Sequence, residues 1–188
     1  MTVTAASQDG TTLRQQVLGS RRFSNFFWAV VCTIGGVGFL LAGLSSYFQT
    51  NLLLVSNAAG LIFVPQGIAL LFYGLAGSLV ALYQFLVIAW DVGGGYNEFD
   101  KQAGKVTVFR WGFPGQNRRI ELQCAIDDVQ AVRAEIREGF NPKRALYLRI
   151  RKQRDIPLTR VGAPLSLAEL EDQGAQLASF LQVPLEGL

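Results

Sequence analysis

The sequence contains no histidine, and it carries no charged side chain anywhere from Phe23 to Trp90. Without histidine the chain by itself cannot form a Ser-His-Asp triad, a His-rich zinc site or a His-ligated haem, and it lacks the commonest general base. The uncharged segment cannot form the surface of a soluble domain, because such surfaces are largely charged and polar. We therefore interpret this segment as embedded in a membrane.

The cysteines and the adjacent acidic residues do not form the patterns that disulfides, metal clusters or acid–base pairs require. Cys32 lies in the uncharged segment and Cys124 in the polar C-terminal part, so neither a disulfide framework nor a metal cluster is expected. Asp127 and Asp128 are adjacent in the sequence. On a strand their side chains would point to opposite faces, so the two carboxylates could not act together as a general acid and base. The net charge of +3 is mild and argues against a nucleic-acid partner. The residues therefore predict no metal cluster and offer no catalytic constellation.

Two apolar runs occupy most of the uncharged segment, at about residues 25–47 and 66–90. Each exceeds the roughly 20 residues that a helix needs to cross a hydrocarbon core, and the first is too long for the apolar part of a signal peptide. Small residues in both runs predict that the two helices pack on each other. These are Gly35, Gly36, Gly38, Ala42 and Gly43 in the first run, and Gly74, Gly77, Ser78 and Ala81 in the second.

Basic residues flank the apolar runs on one side only. Arginines precede the first run, Lys101 and Lys105 follow the second, and the link at residues 48–62 has no basic residue. The excess of Lys and Arg on cytoplasmic segments then predicts that both termini face the cytoplasmic or stromal side.

Composition divides the chain into a polar N-terminal arm at residues 1–22, two transmembrane helices within 23–90 and a β-rich domain at 91–188. The predicted class is an α+β membrane protein. Its transmembrane hairpin is followed by a small antiparallel β domain, pleckstrin-homology-like, closed by a C-terminal amphipathic helix at 166–182. Gly93–Gly95 is predicted to be a flexible joint between the two parts.

Alternating apolar and polar residues predict the strands of the C-terminal domain. A hairpin is expected around a turn at Lys101–Gly104, followed by strands near residues 119–126, 145–151 and 155–161. Residues 128–138 fit either a strand or a helix, and strand is preferred. In the last helix, Ser166 and Glu169 have the spacing of a capping box, and an apolar stripe follows. That stripe comprises Leu167, Leu170, Leu177 and Leu181, with Phe180 beside it.

The segment FRWGFPGQNRRI, Phe109–Ile120, combines aromatic residues and arginines around a glycine-rich turn. It fits a hairpin whose aromatics serve the core, a protein-docking surface, or a surface that binds lipid headgroups. Glu169 and Glu171 lie in the first turn of the last helix. Their carboxylates either interact favourably with the helix dipole or form an acidic spot that docks a partner. The predicted partner-binding residues are Arg110, Trp111, Phe113, Arg118, Arg119, Glu169 and Glu171.

Three segments, DVGGGYNEFDK, VFRWGFPGQNRRI and LASFLQVPLEGL, resemble the photosystem I assembly protein family (hypothetical chloroplast reading frame 4). The resemblance implies a two-span thylakoid membrane protein that acts as a non-catalytic scaffold for newly made core subunits, with no known cofactor. It implies that the Phe109–Ile120 segment docks a protein. The expected partners are photosystem I core subunits, other assembly factors and membrane lipids, and association between copies of the chain stays open. The alternative is a membrane-anchored module that binds lipid headgroups.

Overall fold

The computed structural model of the chain forms two compact units. One unit combines the residues up to Gly19 with those from Gly93 onward, and the other comprises Ser20–Val92. The structure describes residues 6–53, 57–137, 143–151, 154–159 and 165–187.

The second unit contains two long apolar helices, α1 (Phe23–Phe48) and α2 (Ile68–Ala89), with a short turn at Phe63–Gly67 leading into α2. Their mean hydropathies are 2.1 and 1.9, with the turn counted into the second helix, and both are long enough to cross a membrane. Their large apolar side chains are mostly exposed, as expected of surfaces that face lipid.

Close packing of α1 on α2 depends on glycine. A methyl group added to Gly36 would lie 2.5 Å from the Ser78 backbone nitrogen, and one added to Gly74 would collide with the Leu40 backbone. The predicted packing of the two helices on each other is thus present. Gly35 and Gly38, however, have nothing within 4 Å of an added methyl. They lie on other faces of α1, because a helix turns by about 100° per residue.

The start of α1 and the end of α2 lie together at one end of this unit. Ser20 donates its hydroxyl proton to the Val87 carbonyl oxygen at 2.7 Å. The Arg21 guanidinium donates to the carbonyl oxygens of Ile88 and Ala89, at 3.3 and 3.2 Å. These donors satisfy carbonyl groups that the end of a helix leaves without partners inside the helix.

The first unit contains two β-sheets and one helix, which confirms the predicted α+β class. Sheet A is antiparallel, in the order β1–β2–β3–β4–β5, and sheet B has the order β8–β7–β6–β9, with β9 parallel to β6. The strands of sheet A are β1 (Ala6–Asp9), β2 (Thr12–Val17), β3 (Gly95–Asp100), β4 (Lys105–Trp111) and β5 (Arg119–Ala125). Sheet B and the helix comprise β6 (Val129–Arg137), β7 (Lys143–Ile150), β8 (Ile156–Pro157), α3 (Leu167–Leu181) and β9 (Leu185–Glu186).

Strands β1 and β2 come from the N-terminal segment, where the sequence pattern predicts only a polar arm. Leu13 of β2 is fully buried and pairs with Phe99 of β3. The pattern misses this strand because the next inward-facing residue after Leu13 is Gln15 rather than an apolar residue. Val17 lies opposite Gly95 in the register, so the membrane helices are inserted where a hairpin turn would otherwise join β2 to β3.

The core of this unit lies between the two sheets and α3. Phe99 and Val106 of sheet A, Leu148 of sheet B and Leu177 of α3 are essentially inaccessible to solvent. Leu167, which the sequence pattern assigns to the buried stripe of α3, is instead 44% exposed in the first turn of that helix.

Gly93 and Gly94 are hydrogen-bonded to the end of β4 and Gly95 begins β3, so this stretch is not the flexible joint that the sequence predicts. The Gly93 N–H donates to the Trp111 carbonyl oxygen and the Trp111 N–H donates to the Gly94 carbonyl oxygen, both at 2.7 Å. A side chain on Gly95 would collide with the Phe109 carbonyl oxygen. Glycine is required here for close strand approach, and the hydrogen bonds remove the freedom that a linker needs.

Candidate partner-binding surface

The Phe109–Ile120 segment forms the end of β4, an exposed turn and the start of β5. The Gly112 N–H donates to the Arg118 carbonyl oxygen at 2.7 Å and continues the pairing of β4 with β5. The Arg118 N–H donates to the Gly115 carbonyl oxygen at 3.3 Å and closes the turn. The segment is therefore a hairpin, and residues 113–119 are all exposed.

A continuous row of arginine and aromatic side chains crosses the outer face of sheet A. Alternate residues of a strand point to opposite faces, and on β4 Val106 and Val108 point into the core. Trp111 and Phe109, which is itself buried, point to the other face. Tyr96 of β3 lies opposite Phe109 in the register. We name this row the arginine–aromatic strip, and its members are Arg14, Tyr96, Phe109, Trp111, Arg118 and Arg119.

Ring contacts hold the strip together. The Tyr96 and Phe109 rings are stacked with centroids 5.3 Å apart, and the Phe109 and Trp111 rings meet edge to face at 4.9 Å. The Arg14 guanidinium lies 4.0 Å from the centre of the Tyr96 ring. At the other end, the guanidinium carbons of Arg118 and Arg119 lie 5.3 and 5.7 Å from the Trp111 ring.

The strip presents positive charge in a fixed position. A cation over an aromatic ring at an exposed site gains only about 0.5–1 kcal/mol, which orients the guanidinium group without neutralising it. Arg14 also forms an ion pair with Glu98 at 3.7 Å. Arg118 and Arg119 are both exposed and flank one indole ring, so they can bind carboxylates beside an apolar contact.

Of the predicted partner-binding residues, the structure brings together Trp111, Arg118 and Arg119. Phe113 lies in the same turn and is 51% exposed. Trp111 is only half-buried, so part of its ring is open to a partner. Aromatic and arginine side chains in this arrangement are typical of the residues that dominate protein interfaces.

Arg110 is also predicted to bind a partner, but the structure places it on the inner face of sheet A, away from the strip. Its guanidinium donates to the carbonyl oxygens of Tyr96, Phe109 and Leu158 at 3.0, 2.7 and 2.8 Å, and to the Asn97 Oδ1 at 2.6 Å. Burial lowers the pKa of Arg110 to about 10. These donors are used inside the domain, where they connect sheet A to the segment after β8.

Glu169 and Glu171 lie on α3, which packs against β6 and β7 rather than against the strip. The predicted capping box is present: the Ser166 N–H donates to the Glu169 carboxylate at 3.0 Å, and the Glu169 N–H donates to the Ser166 hydroxyl oxygen at 3.2 Å. The hydrogen bonds from Ser166 lower the pKa of Glu169. Glu171 is exposed.

Glutamine substitutions separate capping from docking at these two carboxylates. Glu169→Gln keeps an oxygen that can accept from the Ser166 N–H, so we expect α3 to remain folded in this variant. Glu171→Gln removes one exposed charge and should not affect the fold. If an acidic docking spot exists, the double variant should bind its partner less well at an unchanged protein level in the membrane. An unchanged co-purification yield would remove both residues from the candidate surface.

The fold and the strip define a class: a protein with an apolar helical hairpin and a sheet domain that presents fixed arginines beside aromatic rings. No group of three or more His, Cys, Asp or Glu among the described residues could hold a metal ion.

A model of the family described as Ycf4 matches residues 10–179. The chain therefore belongs to the Ycf4 family.

Several relatives match the chain over nearly their whole length. "Photosystem I assembly protein Ycf4" of Microcystis aeruginosa is 64% identical over 188 residues, which cover 100% of both chains. The protein of the same name from Synechocystis sp. is 68% identical over 182 residues, which cover 97% of each chain. That from Thermosynechococcus vestitus is 64% identical over 178 residues, which cover 95% of this chain and 93% of the relative.

Proposed function

We propose that this protein is a non-catalytic assembly factor for photosystem I, anchored in the thylakoid membrane, which holds newly made core subunits. The names of relatives that match the chain along nearly its whole length support this role. The structural observation that carries the proposal is the arginine–aromatic strip. It offers a rigid docking face on a domain that the chain connects directly to the two apolar helices.

The strip suits a partner that presents carboxylates beside apolar side chains. Arg118 and Arg119 would pair with the carboxylates, while Trp111 and Phe113 supply apolar contact area. Arg14 and Tyr96 extend the same face toward the N-terminal strands. In this proposal Arg110 supports the surface from beneath, and Glu169 and Glu171 form a separate acidic spot.

Both termini are proposed to face the cytoplasmic or stromal side, with two spans crossing the membrane. Basic residues near the open end of the helical hairpin support this orientation, and Arg21 joins the start of α1 to the end of α2. Protease added to the cytoplasmic face of sealed thylakoids should digest the sheet unit and leave the helices protected. Protection of the sheet unit, reversed by detergent, would contradict this orientation.

Co-purification tests the proposed function. A tagged copy of the full chain, isolated from gently solubilised thylakoids, should carry photosystem I core subunits at a clear excess over photosystem II core subunits. Equal recovery of both would contradict the proposal. If the chain instead binds anionic vesicles but no photosystem I subunits, and this binding depends on Arg118 and Arg119, the strip is a lipid-headgroup surface.

A further inference from the structure

Strand β5 is a long, open sheet edge. It is the last strand of sheet A, so within the described residues only its side toward β4 is paired. All seven of its residues are exposed except Cys124, which is half-buried. The other sheet edges are shorter, with four residues in β1 and two each in β8 and β9. An edge of this length is a template for pairing with another strand.

The backbone hydrogen bonds show which N–H and C=O groups of β5 point to its open edge rather than to β4. Bonds from the Gly112 N–H to the Arg118 carbonyl and from the Ile126 N–H to the Gly104 carbonyl flank the strand. In an antiparallel pair such bonded positions alternate, so the even-numbered residues of β5 bond to β4. The N–H and C=O groups of its odd-numbered residues, from Arg119 to Ala125, therefore point to the open edge.

The same edge leaves apolar side chains uncovered. Ile120 and Leu122 are 47% and 46% exposed, although they lie on the inner face of sheet A. Leu122 is paired with Val108, which is buried in the core. The apolar layer of the domain therefore continues past β4 and ends open at β5, where a further strand would cover it.

We propose that β5 pairs antiparallel with β5 of a second copy of this chain, with Leu122 on the twofold axis. In this register all seven residues are paired, because Leu122 is the central residue of Arg119–Ala125. Leu122 meets Leu122 of the second copy, and Ile120 meets Cys124, so the apolar layers of the two domains join. Glu121 lies opposite Gln123, whose amide can donate to the carboxylate.

Charge and the length of overlap both favour this register. A shift that centres the pair on Glu121 places two carboxylates directly opposite each other, which is unfavourable. A shift that centres it on Ile120 leaves four of the seven residues, Leu122 to Ala125, without partners within β5. The strand is thus self-complementary over its full length in one antiparallel register only. This dimer is independent of the proposed role in photosystem I assembly.

Disulfide trapping tests the register in the full chain within native membranes. In a Cys32→Ser, Cys124→Ser background, Leu122→Cys would place two thiols at a central pair with Cα atoms about 4.5 Å apart, within the range for a disulfide. The matched control is Glu121→Cys, whose two copies would lie beyond the ~7 Å limit. Mild oxidation should convert Leu122→Cys to a band of twice the monomer mass, at least about fivefold more than Glu121→Cys.

A second variant tests pairing without cysteine. Gln123→Pro removes an N–H that points to the open edge, while the bonds of β5 to β4 stay intact, because proline is tolerated at edge positions of this kind. Two differently tagged wild-type copies should co-purify, and two tagged Gln123→Pro copies should do so at least about tenfold less. The total amount of the variant in the membrane should be unchanged.

The outcomes separate a second copy from other occupants. A cross-linked band of twice the monomer mass together with loss of co-purification in Gln123→Pro supports the dimer. Equal cross-linking of Leu122→Cys and Glu121→Cys would overturn the register. Wild-type copies that do not co-purify, or a cross-link to a different protein at Leu122→Cys, would overturn the dimer itself.

Discussion

A fragment containing only residues 93–188 is expected not to fold stably. Removing β2 exposes Phe99 and the whole edge of β3, and it removes Leu13, which is fully buried. Truncation of a buried Leu to Ala alone costs about 2–5 kcal/mol, a large part of the 5–15 kcal/mol that stabilises a typical domain. Loss of two complete strands should therefore leave the fragment aggregated or digested rapidly by protease.

The fold suggests how to rescue this fragment. Because Val17 lies opposite Gly95, a short Gly/Ser linker can join residues 6–19 to residue 93 and replace the membrane helices by a turn. The joined protein should be soluble and unfold cooperatively in denaturant. Its Leu13→Ala variant should lose about 2–5 kcal/mol of unfolding free energy, whereas Gln16→Ala, an exposed control on the same strand, should change it by less than about 0.5 kcal/mol. A fragment of residues 93–188 that folds as well as the joined protein would contradict the role of β2.

Replacing Arg118 and Arg119 together with Ala should greatly reduce the yield of photosystem I while the protein itself accumulates normally. Both arginines are exposed, so their loss should have little effect on folding. Residues that dominate an interface contribute about 2 kcal/mol or more each, so binding should weaken by more than about tenfold. Co-purified core subunits and total photosystem I are the two quantities to measure.

Two control variants limit the interpretation of this result. Arg137→Ala with Arg151→Ala removes the same charge from exposed positions outside the strip, and assembly should continue normally. Arg110→Lys should instead lower the amount of the protein itself, because lysine cannot replace the four hydrogen bonds of the half-buried guanidinium. If the Arg118 and Arg119 variant disappears from the membrane as well, the pair is structural and the docking surface lies elsewhere.

Local patterns were sufficient to predict the parts of the fold that depend on neighbouring residues. The turn at Lys101–Gly104 separates β3 from β4, and the Ser166–Glu169 capping box starts α3. In both cases the residues that decide the structure lie within a few positions of each other. The hairpin also fixes the pairing of Tyr96 with Phe109, so one of the two ring–ring contacts in the strip follows from that register.

Features that depend on contacts between distant parts of the chain could not be predicted. Arg14 joins the strip because β2 pairs with β3 across the inserted membrane helices, and one buried Leu between polar residues gives no strand signal. Arg110 appears equivalent to Arg118 in the sequence. Its inward direction follows from strand alternation, but its four acceptors include the distant Leu158 carbonyl, which no local pattern reveals. The predicted strand at 155–161 is reduced to Ile156–Pro157, and residues 160–161 lie outside the described residues.

The role of the strip in photosystem I assembly is tested most directly by the ratio of photosystem I to photosystem II in thylakoids of a strain that lacks this chain. We expect photosystem I to fall severely while photosystem II is retained. The wild-type chain and the Arg137→Ala, Arg151→Ala variant should restore the ratio, and the Arg118→Ala, Arg119→Ala variant should not. An unchanged ratio in the strain without the chain, or full restoration by the variant without both strip arginines, would contradict this role.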